Sequence, residues 1–264
     1  MSIVAALATE GSTYESPGVS DFWQPLFGTD GAFAITRASV VMLLSVALIS
    51  WALLAGTKKL SVVPSKGQAL TEALYGFVRN GVARDIIGTR DFLRFVPFLL
   101  TLFTLVLVNN LFSVVPVIQF PSTSRIAFPA ALTIVVFLVY HWIGMRKHGF
   151  LGYWKSLVPS GLPIALVPYI FILELITDLF TRPVTLALRL MGNMFAGHLL
   201  LVLFISGGEY MLVHGAFGIK IAGGGSLVMA FVMTLFEILV QVLQAYIFTL
   251  LAAIYIQGAL ADEH

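Results

Sequence analysis

Arg189 has the clearest chemical consequence of any residue in this sequence, because it stands inside a long apolar run. The run extends from Ile164 to Ser206. An arginine side chain stays protonated, since its pKa lies above ~12. A fixed positive charge at membrane depth costs at least ~2.5 kcal/mol. No acidic residue stands three or four positions from Arg189, so we expect its countercharge to come from elsewhere.

Other polar residues of the same run fall near Arg189 on a regular helix. At 100° per residue, Asp178 and Arg182 lie within about 20° of Arg189, and Asn193 lies about 40° away. Asp178 and Arg182 are also placed to form an ion pair one turn apart. His198 lies about 180° from Arg189 and is expected to face a different environment, either on a proton path or as a satisfied core histidine.

A second polar stripe lies on the last apolar run. Glu237, Gln241 and Gln244 recur at helical spacing and therefore share one face. An ionisable acid with two amides on a buried helix predicts a hydrated path for protons or ions. Asn109 and Asn110, in an earlier run, would add polar lining to that path. The alternative for these asparagines and for Gln241 is a role as interhelical hydrogen-bonding residues.

Composition identifies a membrane protein. The 264 residues are 59% hydrophobic and 11% charged, with a mean hydropathy of +0.97. A typical soluble domain is ~25% charged. Cysteine is absent, so disulfides and thiolate metal sites are excluded. The net charge of +2 and the lack of a basic run give no reason to expect nucleic acid. The histidines show no metal-binding spacing, and no cofactor is expected.

We predict an all-α polytopic membrane protein with about five transmembrane helices and an amphipathic surface helix. The predicted spans are 38–56, 92–115, 126–145, 164–206 and 226–260. The surface helix covers about 66–88 and breaks near Gly88, and a glycine-rich loop is expected at 207–225. Residues 1–35 are expected to form an extracytoplasmic N-terminal arm, and residues 36–264 a single transmembrane helical domain.

The last two spans are too long for upright helices. Residues 226–260 would reach ~52 Å as one helix, whereas the hydrocarbon core is ~30 Å thick. Residues 226–257 contain no Gly or Pro to break that helix. We therefore predict a strongly tilted hairpin of two long helices over about 164–260. Ordinary spans tilt by ~20° on average, so this geometry would be unusual.

Basic residues predict the orientation of the chain. Lys58, Lys59, Arg146, Lys147 and Lys155 fall on one side under this topology, and the excess of Lys and Arg marks the cytoplasmic side. The N-terminus would then lie outside and the C-terminus in the cytoplasm. A bacterial plasma membrane is the expected location of this multi-pass protein.

The residues from Arg182 to His198 form a motif that resembles that of a known protein family. The string Arg-Pro-Val-Thr-Leu-Ala-Leu-Arg-Leu-Met-Gly-Asn-Met-Phe-Ala-Gly-His, with Leu-Gln-Ala-Tyr-Ile-Phe at 243–248, resembles subunit a of the F-type ATP synthase membrane sector. The resemblance covers most of the chain from about residue 66 and is densest over 170–206 and 232–264. The first 35 residues show no match.

The resemblance implies a proton-translocating stator beside a rotating ring of c subunits, each carrying one membrane-embedded carboxylate. Arg189 matches the family's essential arginine, Gln244 the glutamine packed near it, and Asn193 the asparagine of the same motif. His198 and Glu237 match a pair in the outer access channel. In the best-known bacterial members the acid comes first and the histidine second, so the two residue types are exchanged here, as in mitochondrial members.

Further expectations follow from the resemblance. The proton-translocating set comprises Arg189, Asn193, His198, Glu237, Gln241 and Gln244, and further half-channel lining would come from Asn109, Asn110, Glu174, Asp178 and Tyr255. Glu174 and Asp178 have the alternative of being merely solvated or paired with Arg182. The expected partners are the c-ring, the peripheral-stalk b subunits, other ATP synthase subunits and the lipid bilayer. No catalysis is expected in this chain.

Two other function classes fit the composition. An independent ion-coupled secondary transporter would also carry intramembrane charges, but no internal repeat is visible. An intramembrane hydrolase would need an activated serine, and neither Ser160 nor Ser226 lies in a Gly-x-Ser-x-Gly string.

Overall fold

The computed structural model describes residues 25–27, 35–58, 61–115, 123, 126–157, 163 and 166–261. One short antiparallel pairing joins β1 (Pro25–Phe27) to β2 (Ile35–Thr36). The helices are α1 (Arg37–Thr57), α2 (Lys66–Val78), α3 (Asp85–Ile87), α4 (Phe92–Leu111), α5 (Ala127–His148), α6 (Phe150–Ser156), α7 (Val167–Ile176), α8 (Arg182–His214) and α9 (Phe217–Leu260). Most of the predicted N-terminal arm lies outside the described residues.

The polytopic helical fold predicted from the sequence is confirmed. Five helical stretches of the described chain are long and apolar enough to cross a membrane. They are Ser39–Thr57, Phe92–Leu111, Ala127–His148, Val167–His214 and Phe217–Leu260. The first three agree with the predicted spans to within a few residues.

The amphipathic segment forms a helix with one irregular turn. A π-helical segment at Arg79–Arg84 joins α2 to α3, and the helix ends at Gly88, whose φ is 91°. Glycine adopts this left-handed backbone without the Cβ clash of other residues, which explains the predicted break. Val78 and Val82 are fully buried against the core built by α4, α5, α8 and α9. This packing fixes the helix beside the bundle, while its placement on the membrane surface stays a prediction.

The last two spans form the long hairpin. A second π-helical segment, Thr177–Thr181, joins α7 to α8, so the fourth stretch is 48 residues long, and the fifth is 44. At ~1.5 Å per residue both far exceed the ~30 Å hydrocarbon core. Ser226 Oγ donates to the Phe204 carbonyl at 2.8 Å, and Asn193 Nδ2 donates to Gln244 Oε1 at 2.7 Å. These contacts make α8 and α9 antiparallel neighbours along most of their length.

The predicted glycine-rich loop at 207–225 is wrong. Helix α8 continues to His214 and α9 begins at Phe217, so only Gly215 and Ala216 connect them. Two of these glycines, Gly208 and Gly223, lie where the two helices approach each other closely. A Cβ on Gly223 would lie 3.0 Å from the Gly208 carbonyl oxygen. Small residues at such crossings are a common means of helix packing in membranes.

Substitution at this crossing should disturb the hairpin. We expect Gly223→Leu to force α8 and α9 apart, because the new Cβ would also lie 3.1 Å from the Leu212 backbone nitrogen. Overpacking of this kind typically costs ~1–3 kcal/mol. Gly224→Leu is the matched control, since a Cβ there meets no atom within 4 Å. Thermal denaturation of the purified protein should show a lower midpoint for Gly223→Leu alone. Equal midpoints for the two variants would contradict this account.

Candidate functional site

Arg189 projects from α8 as an exposed side chain. Within the part of the chain that the structure describes, no carboxylate lies within ion-pair distance of its guanidinium. The adjacent Leu188 is also exposed, with 45% of its surface accessible, and the exposed Thr185 and Asn193 lie one turn before and one turn after Arg189. A permanent cation in an apolar medium is stabilised by an anion or polar groups nearby, and no described carboxylate provides that anion.

An amide pair ties the Arg189 helix to α9 one turn further on. The exposed Asn193 donates through Nδ2 to Oε1 of the buried Gln244. Gln244 Nε2 has no hydrogen-bond partner among the described residues. The amide pair therefore places a fixed polar contact and an unsatisfied donor beside the Arg189 face.

Glu237 is the centre of a buried polar network. Ser113 Oγ donates to Glu237 Oε1 at 3.2 Å, and Gln241 Nε2 lies 2.9 Å from the same oxygen. Gln241 Nε2 also donates to Ser113 Oγ at 2.6 Å. The second carboxyl oxygen, Glu237 Oε2, has no partner within the described residues. Hydrogen bonds therefore engage one carboxyl oxygen of Glu237, whereas the other is buried without a hydrogen-bond partner among the described residues.

The network continues through α4. Asn110 Nδ2 lies 3.4 Å from the Gln241 carbonyl oxygen, and Thr123 Oγ1 donates to Asn110 Oδ1 at 3.2 Å. Asn109 faces elsewhere, because its Nδ2 donates to Ser45 Oγ of α1 at 2.9 Å. Asn110 therefore joins the Glu237 network, whereas Asn109 connects α4 to α1.

A cavity of about 420 Å³ lies between α8 and α9 at this network. Its polar lining consists of Asn110, Asn193, Glu237, Gln241 and Gln244. Gly197 lines the cavity beside the acid, where an added Cβ would be in ordinary van der Waals contact with Glu237 Cγ at 3.6 Å. His198 follows Gly197 and is buried, with 7% of its surface accessible. The exposure of Arg189 and the burial of His198 agree with the prediction that they face different environments.

Asp178 forms a second polar cluster at the start of the hairpin. Arg182 Nη1 donates to Asp178 Oδ1, and His141 Nε2 of α5 lies 3.1 Å from Asp178 Oδ2. Tyr140 Oη donates to the Asp178 carbonyl oxygen at 3.2 Å. The predicted Asp178–Arg182 pair is thus present, but the acid is fully buried and not solvated.

The predicted common face for Asp178 and Arg189 is wrong. Asp178 is buried against α5, whereas Arg189 is exposed. The reason is the π-helical segment Thr177–Thr181, which contains Asp178. A π turn holds more residues than an α turn, so it changes the angular position of everything before it relative to α8.

A small cavity of about 180 Å³ adjoins the Asp178 cluster. Glu174, Arg182, Tyr153 and Tyr255 contribute to its lining. The Arg182 guanidinium carbon lies 5.5 Å from the centre of the Tyr255 ring, a cation–π distance. In α6, outside the five spans, burial and then the nearby Asp178 charge raise the pKa of Tyr153, so its phenol stays neutral.

Several participants were not found by sequence reasoning. Ser113 and Thr123 gave no signal, because short hydroxyl side chains are common both in membrane helices and in the turns between them. The histidine spacing in the sequence predicts no metal site and assigns no other role to His141. A signal did exist for it, since an imidazole inside a predicted span needs a buried polar partner. Within the described chain, no group of three or more acidic or histidine side chains is arranged to hold a metal ion.

The arrangement is suited to proton exchange. Glu237, which can gain or lose a proton, borders a cavity that has amide neighbours, and the buried His198 follows Gly197, which lines the same cavity. Asp178 and His141 occupy a separate cluster closer to the start of α8. Arg189 lies between the two clusters, about two turns after Arg182 and one turn before Asn193.

Comparisons with known proteins agree on one family. The family model described as ATP synthase A chain matches residues 39–257. A protein of Nocardioides sp. named ATP synthase subunit a is 41% identical over 266 residues, which cover 97% of this chain and 96% of the relative. Its namesake in Pseudarthrobacter chlorophenolicus is 39% identical over the whole of both chains. That of Streptomyces lividans is 38% identical, over 97% of this chain and 91% of the relative.

The ion pair of the buried Asp178 with Arg182 should contribute more to the stability of the protein than an exposed ion pair does. We expect Asp178→Ala to destabilise the protein by ~3–5 kcal/mol, because Arg182 and His141 would lose a buried partner. Asp91→Ala is the control: it removes the Asp91–Arg94 pair, whose side chains are 54% and 64% exposed, at a cost of ~0–1 kcal/mol. The amount of intact chain in membranes and its thermal midpoint measure both effects. Similar losses for the two variants would show that the Asp178 cluster adds no special stability.

Proposed function

The chain belongs to the ATP synthase subunit a family and is a multi-pass membrane-sector subunit of the F-type ATP synthase; from that premise we propose that it is the proton-translocating stator. In this proposal it lies beside a ring of c subunits and couples proton flow to rotation of that ring. The chemistry of ATP takes place in other subunits.

The observation that carries the proposal is the exposed Arg189 without a carboxylate partner among the described residues. A ring carboxylate from a c subunit would supply the missing anion as it passes. An opposite charge within ~4–6 Å favours the ionised form of an acid by ~1–3 pKa units. Arg189 would therefore cause a passing carboxylic acid to release its proton. The same fixed cation would repel hydronium and prevent a direct leak.

We assign the outer half-channel to the Glu237 cavity. Glu237 has one carboxyl oxygen in a hydrogen bond with Ser113 and one without a described partner, and it borders a cavity of about 420 Å³. His198, Asn193, Gln241 and Gln244 complete the proposed path toward the ring. A proton delivered from Glu237 would neutralise a ring carboxylate, which could then move into lipid. A charged carboxylate could not, since its transfer into hydrocarbon is far too costly.

We assign the inner half-channel to the cluster around Asp178. Its cavity of about 180 Å³ is lined in part by Glu174 and Tyr255, and Asp178 and His141 form its buried pair. Protons released near Arg189 would leave along this side. The two paths lie on opposite sides of Arg189 along α8, so a proton can pass between them only on the ring. A ~100 mV membrane potential supplies ~2.3 kcal/mol for each charge that crosses.

The proposed orientation has the C-terminus in the cytoplasm of a bacterium and the N-terminus outside. Arg94 at the start of α4, Arg146 and Lys147 at the end of α5, and Leu260 at the end of α9 border one pocket, so these helix ends lie on the same side. Their positive charge marks that side as cytoplasmic. The b subunits of the peripheral stalk are the proposed partners that hold the chain still against the ring.

Arg189 is the first residue to test. Arg189→Ala should abolish ATP-driven proton pumping by the assembled complex, and Arg189→Lys should also be strongly impaired, because a lysine lacks the guanidinium's delocalised, always-charged fork. Quenching of a pH-sensitive dye in inverted membrane vesicles measures pumping. Lys220→Ala removes an exposed cation elsewhere on the hairpin and should pump normally. Normal pumping by Arg189→Ala would disprove the stator mechanism.

Glu237 should be needed for delivery of protons but not for assembly. Glu237→Gln preserves the size of the side chain and a hydrogen-bonding oxygen toward Ser113, but it removes proton exchange. We expect proton flux to fall by roughly 10²-fold, the lower end of the contribution of a positioned proton-transfer group. Glu209→Gln makes the same change near the end of α8 and serves as the control. Passive proton conduction through the complex with the catalytic sector removed is the measurement. An unchanged flux would move the outer path away from Glu237.

A further inference from the structure

Both ring nitrogens of His141 face oxygen atoms. Nδ1 lies 3.0 Å from the carbonyl oxygen of Phe137, one turn earlier in α5. A carbonyl oxygen accepts hydrogen bonds and cannot donate them, so Nδ1 carries a hydrogen. Nε2 lies 3.1 Å from Oδ2 of Asp178, which belongs to the π-helical segment Thr177–Thr181. The contact with Phe137 therefore leaves Nε2 as the nitrogen whose protonation can change.

The contact between Nε2 and Oδ2 requires a proton. A neutral imidazole with its hydrogen on Nδ1 has a lone pair on Nε2. That lone pair would face the lone pairs of a carboxylate oxygen at 3.1 Å, a distance that leaves no room for a water molecule between them. His141 and Asp178 are 6% and 0% exposed, so bulk solvent does not relieve this repulsion. One proton therefore resides on Nε2 or on Oδ2.

Arg182 favours the arrangement in which the histidine carries this proton. Its Nη1 donates to Oδ1 of Asp178. A charge-assisted hydrogen bond of this kind stabilises a carboxylate more than a neutral carboxylic acid. Tyr140 Oη lies 3.4 Å from the same oxygen, and Tyr153 of α6 also forms a hydrogen bond with the Asp178 side chain. The geometry thus describes an imidazolium beside a carboxylate.

The pair adjoins the cavity of about 180 Å³ that the proposed function assigns to the inner half-channel. The Tyr140 and Tyr153 rings are centred 4.4 and 5.5 Å from the centre of the His141 ring, and both tyrosines line that cavity. His141 lies seven residues before the end of α5, about 10 Å along the helix. The titratable and charged side chains in the described lining of the cavity are Tyr140, Tyr153, Glu174, Arg182 and Tyr255.

We propose that His141 is the group that carries the outgoing proton through the inner half-channel. A proton released by a ring carboxylate near Arg189 binds Nε2 and converts the imidazole to an imidazolium beside Asp178. The imidazolium then gives this proton to water on the cytoplasmic side and returns to the neutral form with a hydrogen on Nδ1. The inference rests on the proposed stator function, which names no proton carrier on this side.

Passive proton conduction through the assembled membrane sector, with the catalytic sector removed, tests the proposal. His141→Ala should lower conduction by roughly 10²-fold, the lower end of the contribution of a positioned proton-transfer group. His141→Gln keeps a polar side chain beside Asp178 and should show the same loss, so it provides the test if the alanine variant does not assemble. His148→Gln removes an imidazole from the last turn of α5 and should conduct normally. ATP hydrolysis, measured before the catalytic sector is removed, shows that each complex has assembled.

A small base added to the vesicles separates proton transfer from a structural role of His141. Inverted vesicles expose the cytoplasmic side to the added base. Imidazole can enter the space that His141→Ala opens beside the cavity and can carry a proton there, so it should restore conduction several-fold. Pyrazole has the same size but does not bind a proton near neutral pH, and it should not restore conduction. Glu237→Gln, in the proposed outer half-channel, should not respond to either compound.

The outcomes separate this inference from the proposed function. Normal conduction by the His141 variants would overturn the inference. Equal restoration of His141→Ala by imidazole and pyrazole, or restoration by neither, would also overturn it, because a permanent ion pair behaves in this way. The stator proposal would survive each of these results as long as Arg189→Ala still fails to pump. Restoration by imidazole alone would support His141 as the proton carrier.

Discussion

The structure depends on one electrostatic constraint: a permanent cation in an apolar medium requires an anion or polar groups nearby. Helix α8 meets this constraint in two different ways. Arg182 is paired with the buried Asp178 of its own chain, so its charge is compensated within the fold. Arg189, about two turns later, is exposed and has no carboxylate partner among the described residues. The first arginine pairs within the subunit, and in the proposed mechanism the second meets its anion on a c subunit.

The surrounding helices make this unusual exposure possible. Gly208 and Gly223 bring α8 and α9 into close contact near their connection, and the Asn193–Gln244 pair joins them again beside Arg189. Contacts with α9 at two places, near the connection and beside Arg189, therefore fix the position of the helix that carries Arg189. The Glu237 network then extends this support to Ser113, just after the end of α4. In the proposed mechanism, rigid presentation suits a charge that meets successive ring carboxylates in the same geometry.

Much of the fold followed from composition and periodicity. The lengths of the apolar runs predicted the five spans. The absence of Gly and Pro from residues 226–257 predicted that the last helix is unbroken. The prediction of a loop at 207–225 was wrong. A high glycine content favours a flexible loop in water, whereas in a pair of membrane helices glycine allows close packing. The position of Asp178 was also wrong, because the angular rule assumes a regular α-helix. A π turn has no reliable sequence signal. The change that it makes in the angular positions of residues around the helix is therefore seen only in the structure.

The sequence by itself determined that Arg189 carries a permanent charge with no acid one turn away on its own helix, and that Glu237, Gln241 and Gln244 share a face. Those facts depend only on residue type and on spacing along one helix. The tertiary structure alone decided which helices face one another: that Ser113 contacts Glu237, that His141 meets Asp178, and that Asn109 turns toward α1 while Asn110 joins the cavity. The physical reason is that periodicity fixes directions around one helix axis, whereas a contact between helices depends on their relative rotation and crossing, which the packing of the whole bundle sets.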